Sequence, residues 1–203
     1  MTARVAVLDY GSGNVHSVVR MLSRVGAQVE LSADPDAVRR ADGLYVPGVG
    51  NFHACMRGLL GVGGDVLIRD RLAVGAPVLG VCVGHQILFE GSTEPAAEPV
   101  PGLGLVEGLV TRLQAPVVPH MGWSLVTDAA KLPMFTGVAD ERFYFVHSYA
   151  AADSTAAQVA HAEHGRPFVA ALQDGALWGT QFHPEKSGDA GAALLHNWIQ
   201  SFT

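Results

Sequence analysis

Pro77-Val78-Leu79-Gly80-Val81-Cys82-Val83-Gly84-His85-Gln86 runs from an apolar stretch into a cysteine with glycines two positions to either side. The apolar part reads as a buried strand and the residues after Gly84 as a helix to about Glu90, so Cys82 stands at the turn between them. A sharp turn there lifts the side chain above the sheet edge, and the glycines let neighbouring backbone pass close by. The helix start beyond it supplies partial positive charge, which favours a thiolate and an oxyanion. On this pattern alone Cys82 is also compatible with a small buried hydrophobe.

Upstream, short β-branched runs alternate with helical patterns. Strands are expected over residues 4–9, 28–31 and 43–46, and helices over 14–25 (stopped by Gly26), 34–41 and 52–74, the last broken at 61–64. Such alternation predicts an α/β fold whose mostly parallel sheet is covered by helices. Residues 91–104, with Pro95, Pro99 and Pro101, read as a surface connection. Beyond them strands are expected over 110–113, 122–126, 143–149, 157–162, 167–173 and 177–182, some antiparallel. A closing helix over 187–202 has Leu194, Leu195, Trp198 and Ile199 at core spacing.

Composition narrows the classes. The chain has 203 residues, 49% of them hydrophobic and 16% charged, which suits one domain, residues 1–203, burying roughly 70% of its unfolded surface. A net charge of -6 with 13 scattered Lys and Arg residues argues against nucleic-acid binding. The start, Met1-Thr2-Ala3-Arg4, leads into an apolar run too short for a secretion signal. No stretch of about 18 apolar residues offers a membrane span. Two cysteines, Cys55 and Cys82, are too few for a disulfide framework, so a cytoplasmic location is expected. No metal-ligand spacing or dinucleotide fingerprint occurs, so neither a metal nor a cofactor is expected.

A thiolate nucleophile wants an imidazole to carry its proton and a third group to orient that imidazole. Gln181-Phe182-His183-Pro184-Glu185-Lys186 offers both: His183 ends an expected strand, and on an extended chain Glu185 would point the same way. His16, His53, His161, His164 and His196 read as surface or satisfied core residues, and His147 reads equally as functional or structural.

The Cys82 and His183-Pro184-Glu185 segments together resemble the class I glutamine amidotransferases, whose triad is Cys, His and Glu on a flavodoxin-like sheet. Matched by position, that triad falls on Cys82, His183 and Glu185. Further segments resemble the glutaminase subunits of imidazole glycerol phosphate synthases in histidine biosynthesis: Asp9-Tyr10-Gly11-Ser12-Gly13-Asn14, Pro47-Gly48-Val49-Gly50-Asn51-Phe52, Pro119-His120-Met121-Gly122-Trp123 and Tyr144-Phe145-Val146-His147-Ser148-Tyr149. Two positions depart: His85 stands where these subunits usually have Met, and Ser124 where Asn usually follows the Trp.

The resemblance implies hydrolysis of L-glutamine to glutamate and ammonia through a thioester. An oxyanion is expected to meet the backbone amide of Val83 and the Gly48–Val49 strand. Gln86 and the backbone of Ser148 and Tyr149 would bind the substrate. Asn14, Trp123 and Lys186 would face the partner, a (β/α)8-barrel cyclase subunit that makes imidazole glycerol phosphate and aminoimidazole carboxamide ribotide. Two other readings stay open on sequence: a glutaminase serving anthranilate or aminobenzoate synthase, and a protein of this fold in which Cys82 senses oxidants.

Overall fold

Strands alternating with helices build the first half of the chain. The computed structural model describes residues 2–203; Met1, where the reading of the N-terminal segment begins, lies outside the described residues. In order come β1 (Arg4–Leu8), α1 (Val15–Arg24), β2 (Gln28–Ser32), α2 (Pro35–Arg40), β3 (Gly43–Val46), α3 (Phe52–Gly61), α4 (Gly64–Ala73), β4 (Val78–Val81) and α5 (Val83–Gln86). Local chemistry sets these ends. Gly26, with φ +95°, takes the chain out of α1, while the Asp34 and Asn51 side chains accept backbone N–H groups at the starts of α2 and α3.

The second half is richer in strands: β5 (Gly91–Ser92), β6 (Leu109–Arg112), β7 (His120–Leu125), β8 (Arg142–His147), β9 (Tyr149–Ala151), β10 (Gln158–His164), β11 (Arg166–Asp174) and β12 (Leu177–Thr180), then α6 (Gly188–Gln200). The main sheet runs β10-β11-β12-β4-β3-β1-β2. Its last five strands are parallel and carry helices, whereas β10 and β11 extend it antiparallel. Strand β2 beside β1, then β3, β4 and β12, is the flavodoxin-like doubly wound order, in which ligands sit beyond the carboxyl ends of the strands. β5, β6 and β9 form a small second sheet, and β7 pairs with β8 alone.

Strands β3 and β4 are buried at every residue, as central parallel strands should be. Helix α6 covers one face with Leu194, Leu195, Trp198 and Ile199, all buried as their spacing predicts. Each such side chain contributes about 1.5–3 kcal/mol on burial.

Three expectations need correction. The helix after Cys82 stops at Gln86 rather than Glu90, because residues 102–105 return and donate to the carbonyls of Ile87, Leu88, Phe89 and Glu90. The same return means that residues 91–104 are not simply a surface connection, since Gly91 and Leu103 are buried. The strand expected over 143–149 is two, broken at Ser148: β8 pairs with β7, while the Ser148 carbonyl accepts from Leu113 N–H and β9 joins β6.

Candidate active site

Cys82 adopts φ +56° and ψ −114°, a conformation that costs a non-glycine residue of order 1–3 kcal/mol. Surrounding bonds hold it there: its N–H donates to the Thr180 carbonyl at 2.8 Å, and its own carbonyl accepts from His85 and Gln86 at 3.1 and 3.0 Å. The glycines are required by space. A Cβ on Gly84 would lie 2.1 Å from the Val46 carbonyl oxygen, one on Gly80 2.4 Å from that of Gly84, and one on Gly48 2.3 Å from the Gly84 nitrogen. The ends of β3 and β4 and the start of α5 therefore interlock around the cysteine.

His183 follows β12, the neighbour of β4, so the two parallel strands deliver imidazole and thiol to one cleft. Its Nδ1 lies 2.7 Å from Glu185 Oε1, with both side chains buried. A carboxylate only accepts, so Nδ1 carries the proton and Nε2 remains for the sulfur. Tyr45, fully buried in β3, donates to the other Glu185 oxygen at 3.3 Å. The chain between His183 and Glu185 is not extended as the sequence reading supposed. Pro184–Lys186 is a 3-10 turn, because Lys186 N–H closes back on the His183 carbonyl, and that turn brings the carboxylate to the ring. The backbone is held as well: His183 N–H donates to the Tyr144 carbonyl, and the Ser187 hydroxyl to the His183 carbonyl at 2.6 Å. Burial pushes the imidazole down, but the Cys82 sulfur and then the Glu185 carboxylate outweigh it and lift His183 to about 10. An imidazolium beside the sulfur is the charge a thiolate needs.

The cleft holds about 440 Å³ and is lined by Cys82, His183, Val49, Gln86, Tyr149 and Glu94 among others. The Gln86 amide nitrogen donates to the Tyr149 carbonyl at 2.7 Å and to Gln181 Oε1 at 3.0 Å, which fixes its orientation and leaves Oε1 with no protein partner among the described residues. Gln181 in turn directs its amide nitrogen at Cys82 Sγ, 3.9 Å away. The Ser148 and Lys186 residues also line the cleft.

Sequence reasoning gave no role to Glu94, Gln181 or Tyr45. Glu94 accepts from Phe52 N–H at 2.7 Å, and His53 donates to the Glu94 carbonyl at 2.9 Å. Only for Gln181 was there a signal, its place two residues before His183.

The expected oxyanion donors are engaged elsewhere. Val83 N–H donates to the Gly48 carbonyl at 3.3 Å, and Val49 N–H to the Ser12 hydroxyl at 3.1 Å. Cys55 Sγ lies 3.0 Å from that hydroxyl and donates to the Val49 carbonyl at 3.3 Å. Burial pushes the Cys55 thiol up, the reverse of what a nucleophile needs.

Asn14 is exposed at the start of α1, where it and Glu185 flank the Pro47–Val49 segment. Trp123 is 51% exposed on β7, between Met121 at 63% and Leu125 at 48%, and meets Tyr144 edge-on at 5.9 Å. Lys186 thus lines the cleft, Asn14 lies behind the Pro47–Val49 segment rather than in the cleft, and Trp123 packs on Tyr144, whose carbonyl holds His183. Among the described residues no group of three or more His, Cys, Asp and Glu could hold a metal, and no helix is long and apolar enough to cross a membrane.

A strained cysteine elbow facing a His–Glu pair at the carboxyl edge of a doubly wound sheet defines a class, and the sequence agrees: residues 6–201 match the family described as glutamine amidotransferase class-I, and the chain belongs to it. Within that family it is similar to imidazole glycerol phosphate synthase subunit HisH. It is 57% identical to that subunit of Mycolicibacterium paratuberculosis, covering 98% of this chain and 99% of the relative, and 55% identical to that of Nocardia farcinica, covering 97% of each. Its fold is shared with the solved structure of PurLQS from Thermotoga maritima, with a TM-score of 0.73 at 17% identity over 100% of both chains.

Proposed function

We propose that this chain is the glutaminase subunit of an imidazole glycerol phosphate synthase, using Cys82 as nucleophile, His183 as proton carrier and Glu185 as the group that orients and steadies the imidazolium. The observation that carries the chemistry is the His183–Glu185 bond of 2.7 Å beside the strained Cys82 turn. The similarity to the named subunits supports the choice of synthase.

In the first step the thiolate attacks the side-chain amide carbon of glutamine. The oxyanion that forms is stabilised by Val83 N–H and by a peptide of the Gly48–Val49 strand once these turn to it. His183 gives its proton to the departing nitrogen, the C–N bond breaks, and ammonia leaves a glutamyl thioester. Water then attacks that thioester, His183 takes its proton, and glutamate and thiolate are released. Gln86 Oε1 and the Glu94 carboxylate accept hydrogen bonds from the α-ammonium of glutamine, and backbone of Ser148 and Tyr149 meets its carboxylate end. Ammonia passes to a (β/α)8-barrel cyclase docked across Asn14, Trp123 and Lys186. With Val83 and Val49 engaged as they are, the isolated chain rests with its oxyanion site closed, and docking with nucleotide bound opens it.

The test is product formation with purified partner synthases. Glutamine should support imidazole glycerol phosphate synthesis with the barrel cyclase, and Cys82→Ser should abolish this while leaving synthesis from ammonium salts. Synthesis with anthranilate or aminobenzoate synthase instead overturns the choice of partner. Glutamine-dependent turnover by Cys82→Ser overturns the nucleophile.

A further inference from the structure

Three histidines outside the triad touch one another. His120 on β7 and His147 at the end of β8 are opposite residues of one ladder, and His164 ends β10. His120 Nδ1 lies 3.1 Å from His147 Nε2, His147 Nδ1 lies 3.0 Å from the Tyr149 carbonyl oxygen, and His120 Nε2 lies 2.9 Å from Ser124 Oγ. His164 stacks on His120 at 4.4 Å and bonds the Val117 carbonyl through Nε2.

One acceptor sets the direction of the chain. A carbonyl cannot donate, so His147 carries its proton on Nδ1 and offers a lone pair at Nε2. His120 must then donate from Nδ1, which leaves its Nε2 to accept from the Ser124 hydroxyl. Burial pushes His147 to about 3 and, with the neighbouring His164, His120 to about 4, so both rings are neutral at pH 7 and this order of protons holds. The chain ends on the same Tyr149 oxygen that accepts from the Gln86 amide. It begins on the inner face of β7, whose outer face carries Met121, Trp123 and Leu125.

We propose that His120 and His147 are positioning residues for glutamine: through the Tyr149 carbonyl they hold the Gln86 amide so that its Oε1 faces the substrate, and they root that orientation in strand β7. The inference rests on reading the cleft as a glutamine site. His147 lines the cleft, but neither ring is bonded to Cys82, His183 or Glu185, and the effect is therefore on binding.

Packing is the competing explanation, since His120 also stacks on Phe145 at 4.8 Å. Two substitutions separate the roles. His120→Phe keeps an aromatic ring and loses the donor, whereas His120→Asn keeps an N–H near the Nδ1 position and loses the ring. Glutamine hydrolysis by the assembled synthase should show KM raised about 3–10-fold in His120→Phe, the worth of one neutral hydrogen bond, with kcat little changed. His120→Asn should keep the wild-type KM while its melting temperature falls. A raised KM in the asparagine variant, or an unchanged one in the phenylalanine variant, overturns the proposal. Imidazole ¹⁵N shifts of the wild-type protein give a second check: both histidines should be protonated at Nδ1, and protonation of either at Nε2 overturns it too. Absence of any hydrolysis by the wild-type complex would instead defeat the glutaminase reading.

Discussion

The triad and the oxyanion strand meet at the same three glycines, yet they are held in opposite ways. Around Cys82, His183 and Glu185 the bonds suit the proposed chemistry: the elbow is fixed at both its N–H and its carbonyl, the imidazole is gripped by carboxylate and backbone, and Tyr45 braces the carboxylate. Ångströms away, the Pro47–Gly50 segment turns its groups elsewhere, with Val83 N–H spent on Gly48 and Val49 N–H spent on Ser12. On the proposed mechanism the nucleophile is assembled before the transition state can be bound. An enzyme whose ammonia belongs to a partner benefits from that division, because the missing donors can be supplied when an acceptor is ready.

The largest effects should come from the assembled side. His183→Ala removes the proposed proton carrier and should lower kcat for glutamine by about 10⁴–10⁶-fold, while Glu185→Gln, which on the same proposal removes only the orienting charge, should cost at least tenfold less. Equal losses in steady-state assays of the complex would mean that the pair acts as one structural unit.

A second test probes how much stability the elbow side has given up. His85 is fully buried against Phe89 with neither ring nitrogen bonded, and burial pushes it to about 3. His85→Met should stabilise the fold by about 1–3 kcal/mol in chemical denaturation by removing unsatisfied polar atoms. The pH dependence carries the sign. A histidine depressed in the folded state costs stability as pH falls below about 6.5, where only the unfolded chain takes up the proton, at about 1.4 kcal/mol per pH unit. His85→Met should flatten that acid limb. His183, raised to about 10, acts in the opposite sense: its contribution is complete below pH 6.5 and is lost as pH rises through 10. An acid limb as steep in His85→Met as in the wild type would contradict the neutral, unpaired assignment.

The smallest expected effect lies on the strand side. Ser12→Ala removes the partner of Val49 N–H and should raise glutamine hydrolysis by the chain alone about 3–10-fold, leaving the rate of the full complex unchanged. A lower basal rate would show that Ser12 supports the active conformation rather than the resting one.

What the sequence made legible follows from what leaves a trace in residue identity. Gly80, Cys82 and Gly84 could be read because a Cβ on Gly80 or Gly84 would sit 2.4 or 2.1 Å from backbone oxygen, and the helix and strand pattern up to β4 followed from apolar runs, helical periodicity and caps. Backbone commitments leave no such mark. Nothing in Gly48-Val49 tells that the first residue's carbonyl closes on Val83. Glu94 and Tyr45 act through partners 42 and 140 residues away, and the early end of α5 is set by a returning segment that sequence reads as loop. The His183–Glu185 contact was expected for the wrong local reason, since a turn rather than an extended chain makes it.

The most direct test of a ready triad beside a closed oxyanion site is steady-state glutamine hydrolysis by the wild-type chain, measured alone and then with the barrel cyclase and its nucleotide ligand. Recovery of even one of the two engaged oxyanion donors should accelerate hydrolysis by at least about 10²–10³-fold, or about 2.7–4 kcal/mol, on adding partner and ligand. Full activity of the isolated chain, with no acceleration by the complex, would contradict it.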